Sequence, residues 1–192
     1  MSLGAIALLL CTSPDPAWVP SVALRLESFE ERLSVAGHAE TRSLAGAGLD
    51  LGLDYRVLPG ALEIGQLEGT TALGLSLVFA KGSWPVHLEQ ELRWVYPPAD
   101  WLALFGGLSL GISVSFVEPE HSFIAVGAVL GVRIGPVELG FTPRLSLPIG
   151  PRETETFGGL RVDSAALGLS PLGLRLRWRI EALGFGGDAP PG

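Results

Sequence analysis

From Gly48 to Val57 the chain reads Gly-Leu-Asp-Leu-Gly-Leu-Asp-Tyr-Arg-Val, so every second residue is apolar and Gly48, Asp50, Gly52, Asp54 and Arg56 lie between. A strand turns successive side chains to opposite faces, which gives this segment one apolar and one polar face. The same period of two recurs along most of the chain with turn residues between repeats, and it is incompatible with the helical period. Hydrophobic residues make up 47% of the 192, and mean hydropathy is +0.40. Past the N-terminus no apolar run reaches the roughly 18 to 20 residues of a helical span. Strands must therefore carry the hydrophobicity. The expected fold is all-β, a closed antiparallel up-and-down transmembrane β-barrel.

Leu3 to Leu10 has the length of a signal-peptide core, and Pro14, Asp15, Pro16 and Pro20 follow as an extended lead-in. No Lys or Arg precedes that core, and Cys11-Thr12-Ser13 is a passable cleavage site. Leu10 stands where a lipoprotein box wants a small residue before Cys11. The expected organisation is a signal-like segment and lead-in over 1–21, a barrel over 22–185 and a tail over 186–192. The single cysteine excludes an internal disulfide framework. Net charge is -7 with no Lys/Arg cluster, which argues against nucleic acid as a partner.

The first strand is expected over Val22 to Val35, with a bulge or register change near Ser28 where the apolar phase changes from Leu24 and Leu26 to Phe29, Leu33 and Val35. Gly37 to Gly46, which contains His38, reads as a polar loop, and Gly48 to Leu58 as the second strand. Ala61 to Ala80 is one long strand or two short ones, with Gly69-Thr70-Thr71 as the possible break. Val86 to Tyr96 is the fourth strand, with Leu88, Leu92, Trp94 and Tyr96 opposite His87, Glu89, Glu91 and Arg93. Pro97 to Asp100 turns the chain into the fifth strand, Trp101 to Val117. Ile124 to Ile134 carries Arg133, Val137 to Leu147 carries Glu138 and Arg144, and Gly150 to Gly159 reads as a polar connection. The last strand ends with Arg175, Arg177 and Arg179 between Leu174, Leu176, Trp178 and Ile180, after an irregularity at Ser170-Pro171.

Taking Ala61 to Ala80 once gives about eight strands, the smallest common size for such barrels. Short turns then fall at one end and the longer loops at the other, and Tyr55, Trp94, Tyr96, Trp101 and Trp178 map to the short-turn end as an aromatic girdle. Phe79 and Phe116 map to the opposite end. A barrel of this size has an interior filled by side chains, so inward charges must pair. The expected interior network is Asp50, Asp54, Arg56, His87, Glu89, Glu91, Arg93, Arg133, Glu138, Arg144, Arg175, Arg177 and Arg179. Glu27, Glu30 and Glu31 of the first strand are the expected acidic neighbours of the last three.

Over Val22 to Ile180 this arrangement resembles small outer-membrane barrels of the OmpA, OmpX and OmpW type. The resemblance is architectural, and the C-terminus departs from the usual final aromatic because Gly186 to Gly192 follows Phe185. It implies a Gram-negative outer-membrane protein in contact with outer-membrane lipid. The expected role is structural or surface-interacting through a ligand at the outer loops, with a narrow channel or carrier of small or hydrophobic molecules beside Gly107, Ser109, Gly111 and Ser113 as the alternative and a lipid-modifying outer-membrane enzyme as the second.

A monomer without cofactor, metal or enzymatic activity is expected. His121-Ser122 resembles the pair of lipid A deacylase barrels, but adjacent residues on a strand face opposite ways. His87 beside Glu89 and Glu91 reads as an interior network before a metal or acid-base site, and the three histidines lack metal-ligand spacing.

Overall fold

The structure, a computed structural model, describes residues 18–35, 38–57, 65–79, 84–116, 122–149, 153–157, 160–166, 168–170 and 173–180, with backbone alone for 29–35, 38–42 and the segments between 153 and 170. The alternating sequence yields β1 (Val19–Val35), β2 (His38–Arg56), β3 (Gln66–Val78), β4 (Val86–Ala99), β5 (Leu102–Val114) and β6 (Phe123–Ile134). Shorter pieces follow: β7 (Val137–Phe141), β8 (Arg144–Pro148), β9 (Glu153–Phe157), β10 (Leu160–Ala166), β11 (Gly168–Ser170) and β12 (Gly173–Arg179).

Each of the first six strands pairs antiparallel with its successor. β7 and β8 both pair with β6 in one continuous register, so they are two parts of one stave broken at Thr142-Pro143. Proline has no N–H to give the ladder. The Pro143 carbonyl instead accepts from the Ala128 N–H at 3.1 Å. β10, β11 and β12 make up the last stave, and β1 pairs with both β12 and β10. The result is a closed antiparallel barrel of eight staves.

The faces are inverted relative to a water-soluble barrel. Leu24, Leu51, Leu73, Leu108, Leu130 and Leu139 stand exposed on the outer wall, whereas Asp50, Glu91, Arg93, Glu138, Arg175 and Arg177 are buried inside. Hydrocarbon offers backbone groups no partner, so a spanning sheet must close, and its outer face must then be apolar. Every barrel stave here meets both conditions, and the fold is that of a transmembrane β-barrel. A soluble lipocalin-like barrel would carry these faces the other way round.

Two strand expectations need correction, and two left open are resolved. β1 pairs with β2 without a register shift from Val19 opposite Asp54 to Val35 opposite His38, so of the two alternatives near Ser28, bulge or register change, it is the register change that occurs, on the other edge of β1. The phase change lies in the partner stave: Glu27 faces Gly173 but Glu31 faces Ala166, which leaves three extra residues between Ala166 and Gly173. Gly37 to Gly46 is strand rather than loop from His38 onward. Its polarity is misleading because β3 pairs with β2 only as far as Gly46, and a hairpin arm beyond the barrel wall has no lipid-facing side to present. For the same reason Glu153–Phe157, inside the expected polar connection, pairs with β10. Finally, β3 is one strand that runs through Gly69-Thr70-Thr71 in unbroken register with β4.

Two connections at the short-turn end are tight. Gly135-Pro136 joins β6 to β7 with Gly135 at φ 53°, a left-handed conformation that glycine adopts without the Cβ penalty. β4 extends past its expected end to Ala99, with a register shift between Tyr96 and Ala99 where Pro97-Pro98 interrupts pairing with β5. The N-terminal segment, residues 1–17, and the tail lie outside the described residues.

Candidate functional site

The lumen is built from the odd positions of β1, β4, β5, β6 and β12 and the even positions of β2, β3, β7 and β8, which alternation turns inward. Its charged side chains form two hydrogen-bonded networks, with no hydrogen bond between them among the described residues. The first lies toward the long-loop end. Arg25 donates to Asp50 Oδ2 from Nε at 3.1 Å and Nη2 at 2.5 Å, and from Nη1 to Glu27 at 2.8 Å. Glu89 lies 3.0 Å from Arg25 Nη2 and accepts from Arg144 Nη2 at 2.7 and 2.8 Å. Arg144 Nη1 reaches Glu27 at 3.0 Å, and His87 Nε2 lies 2.8 Å from Asp50 Oδ1.

The second network fills the middle and the short-turn half. Arg175 donates from both terminal nitrogens to the Glu91 carboxylate. Arg177 binds Glu91, Asp54 and Thr70 at 3.3, 3.1 and 3.1 Å. Arg93 forks onto Glu138 at 2.7 and 3.1 Å, reaches Glu68 at 3.1 Å and rests over the Phe105 ring, 5.0 Å from its centroid. Arg133 bridges Glu68 at 2.5 and 3.1 Å and Glu138 at 2.7 Å. Below Arg93, Val95, Ala103, Phe105 and Val129 form an apolar cluster.

Among the described residues, seven arginines in these networks face seven carboxylates, so guanidinium and carboxylate charges are equal in number. Balance matters because an unpaired charge in a low-dielectric interior costs several kcal/mol.

Of the thirteen residues expected in the interior, twelve have buried or largely buried side chains here, and Arg56 does not. It shares the inward parity of Asp54 but stands at the end of β2, beyond the last layer, and is exposed to water at the rim. The acidic neighbours of the last strand also differ from expectation. Arg175 sits directly opposite Arg25 on β1, and the acids that hold Arg175 and Arg177 come from across the lumen on β4 and β2. Glu27 serves Arg25 and Arg144 instead, and the side chains of Glu30 and Glu31 lie outside the described residues. Arg179 makes only long contacts, 3.6 to 3.9 Å, to Asp54, Glu68 and Glu138. Sequence reasoning missed Arg25 and Glu68. Arg25 was marked by its position between Leu24 and Leu26, and Glu68 lay in the ambiguous third strand.

The outer wall carries aromatic residues at both ends. Tyr55, Trp94, Tyr96, Trp101 and Trp178 lie near the short-turn end, where the Trp18 and Tyr55 ring centroids are 4.8 Å apart. Phe79, Trp84 and Phe116 are exposed at the other end. One polar group interrupts the apolar band: Thr71 Oγ1 donates to Gln90 Oε1 at 2.7 Å, and Gln90 Nε2 donates to the Tyr55 hydroxyl at 2.7 Å.

The remaining candidates are quickly placed. His121 lies outside the described residues, and Ser122 Oγ accepts from the Ser115 N–H at 3.1 Å. His38 falls within β2 opposite Val35 rather than in a loop, with its side chain outside the described residues. Among the described residues no three His, Cys, Asp or Glu side chains are grouped to hold a metal ion.

No family model and no curated protein matches the chain. Among solved structures it is similar to Neisserial surface protein A, at 12% identity and TM-score 0.39, covering 82% of this chain and 96% of that one. It is also similar to Ail, the attachment invasion locus protein of Yersinia pestis, at 12% identity and TM-score 0.33, covering 82% of this chain and 98% of that one.

Proposed function

We propose that this chain is an outer-membrane barrel of a Gram-negative bacterium whose lumen is closed by a salt-bridged plug, and that it works through the strands and loops of its outer end. It is neither an open conduit nor an enzyme on this reading. The observation that carries the plug is the layer of Arg93, Arg175 and Arg177, all fully buried and tied to carboxylates on other staves. Ion passage would require water and mobile charge where guanidinium groups are held by fixed acids. An interior already paired leaves its hydrated outer end as the part free to meet a partner.

The test is conductance in planar bilayers of the heat-modifiable, folded protein purified from the outer-membrane fraction. The expected trace is flat. Steady single-channel currents would refute the plug, and a sample that runs alike boiled and unboiled would refute the closed barrel.

The second reading, a narrow carrier, draws on a recess beside Gly111 and Ser113 at the long-loop end. Its lining stops at Glu89 and Gly111, and the fully buried Glu91, Arg93 and Arg175 side chains take up the lumen beyond.

A further inference from the structure

Beyond Glu27 the alternation of the chain changes sign. In the barrel wall Leu24 and Leu26 of β1 are exposed on the outer face and Arg25 is buried on the lumenal one. Because β1 pairs with β2 without a shift as far as Val35 opposite His38, the same parity runs to the tip of the arm. There Phe29, Leu33 and Val35 stand on the face continuous with the lumen, and Glu30, Arg32 and Ser34 on the face continuous with the outer wall. The last stave repeats the switch. Its three extra residues between Ala166 and Gly173 reverse its parity, so Leu160 and Val162 of β10 join the lumenal face and Arg161 and Asp163 the other. β9 adds Glu153, Glu155 and Phe157 to the lumenal face and Thr154 and Thr156 to the opposite one.

The arm is thus a four-stranded sheet in the order β2-β1-β10-β9, apolar on one face along its two central strands. An apolar sheet face beyond the membrane has to be covered. The rest of the chain does not supply the cover. Residues 1–17 and 181–192 continue from Trp18 and Ile180 at the short-turn end. The connections 80–83, 117–121 and 150–152 hold only Ala80 and Val117 as apolar residues. A second copy in the same membrane meets the outer wall, whereas the apolar face continues the other side of that wall.

Charge identifies the occupant. Glu40 on β2 and Glu153 and Glu155 on β9 flank the apolar centre, and Glu31 stands opposite Arg42. Among the described residues of the arm, the lumenal face therefore carries four carboxylates to one guanidinium, whereas Glu30 and Asp163 balance Arg32 and Arg161 on the other face. We propose that the lumenal face of the arm docks a basic amphipathic helix of an extracellular protein or peptide. Its apolar stripe matches the two central strands, and its flanking cations match the acids at the edges. Phe29 to Val35 covers about 20 Å of strand, the length of roughly 13 helical residues, and four strands span about 14 Å, enough for one helix about 10 Å across. The proposal rests on the reading that the outer end meets a partner, and names that partner's chemistry.

The test places the full, folded chain in phosphatidylcholine nanodiscs and follows a fluorescent leucine–lysine helix of about 14 residues by polarisation. Binding should saturate, weaken with salt, and be about tenfold tighter than that of a leucine–glutamate helix or of a peptide of the same composition without an apolar stripe. Val35→Ser/Val162→Ser, on the apolar face, should weaken it about tenfold. Arg32→Gln/Asp163→Gln, on the opposite face, should leave it unchanged. Glu40→Gln/Glu155→Gln keeps the apolar centre and should flatten the salt dependence even if the valine variant disorders the arm. Equal binding to empty discs or to the control peptides overturns the proposal, as does an equal loss in the opposite-face variant. A dimer of the unaltered protein that excludes the peptide puts a second copy on this face and overturns it too. No binding together with a flat conductance trace removes this partner and leaves the plugged barrel standing.

Discussion

Arg175 on β12 and Glu91 on β4 stand on opposite sides of the barrel and meet across its lumen through a two-pronged hydrogen bond. Removing one partner strands the other as a buried charge, which costs about 3–5 kcal/mol, whereas replacing both with apolar groups of similar size is often close to neutral. Glu91→Leu should therefore destabilise the barrel more than the Arg175→Met/Glu91→Leu pair does. Urea unfolding from detergent micelles measures both. A double variant no better than the worse single one would show that the pair does not act as a unit.

Leu108 is the most exposed leucine of the outer wall at 69%. If lipid covers it, Leu108→Lys should cost about 2–4 kcal/mol in bilayers when the site lies near the midplane. On a wall facing water the same change would stay within about 0.5 kcal/mol. Folding equilibria in lipid vesicles separate the two cases.

Gln90 lies between Leu88 and Leu92 on the same outer face, where hydrocarbon cannot satisfy an amide. Its partners Thr71 and Tyr55 are side chains of the two preceding strands. Tyr55→Phe should cost about 1 kcal/mol by leaving an amide N–H unpaired, whereas the Tyr55→Phe/Thr71→Val/Gln90→Leu triple variant, which leaves none of the three groups stranded, should be close to neutral. Vesicle unfolding midpoints compare them, and equal losses from both would contradict the clasp.

Gly135 takes φ 53° in the turn between β6 and β7, with open space beside it, so a side chain there meets backbone strain and no clash. Gly135→Ala should cost about 1 kcal/mol and Gly135→Asn clearly less, because asparagine tolerates the left-handed region. The ranking of their denaturation midpoints is the check.

Alternation made most of the barrel legible, because a strand with one face in lipid and one in the lumen has no freedom to mix them. Glu89, Glu91 and Arg93 could be assigned inward by parity alone. Their partners could not. Arg93 binds Glu138, forty-five residues away, because strand tilt and closure bring β4 and β7 together across the lumen, and no local pattern records that distance. Parity also fails where both faces meet water. Arg56 follows the inward phase yet is exposed at the rim, and the His38 segment is strand although its composition is that of a loop.

Closure of the barrel joins Val22 to Trp178 and Leu24 to Leu176, while each other barrel stave pairs with its neighbour in the chain. Hairpins form from nearby residues, but this one ladder must bring together segments separated by most of the sequence, and loop closure and contact order make such pairing slow. Substitutions at Leu24 or Leu176 should then slow insertion into detergent more than equal changes within β5. The two ends of the chain set the folding clock, and the hairpins between them wait for that meeting.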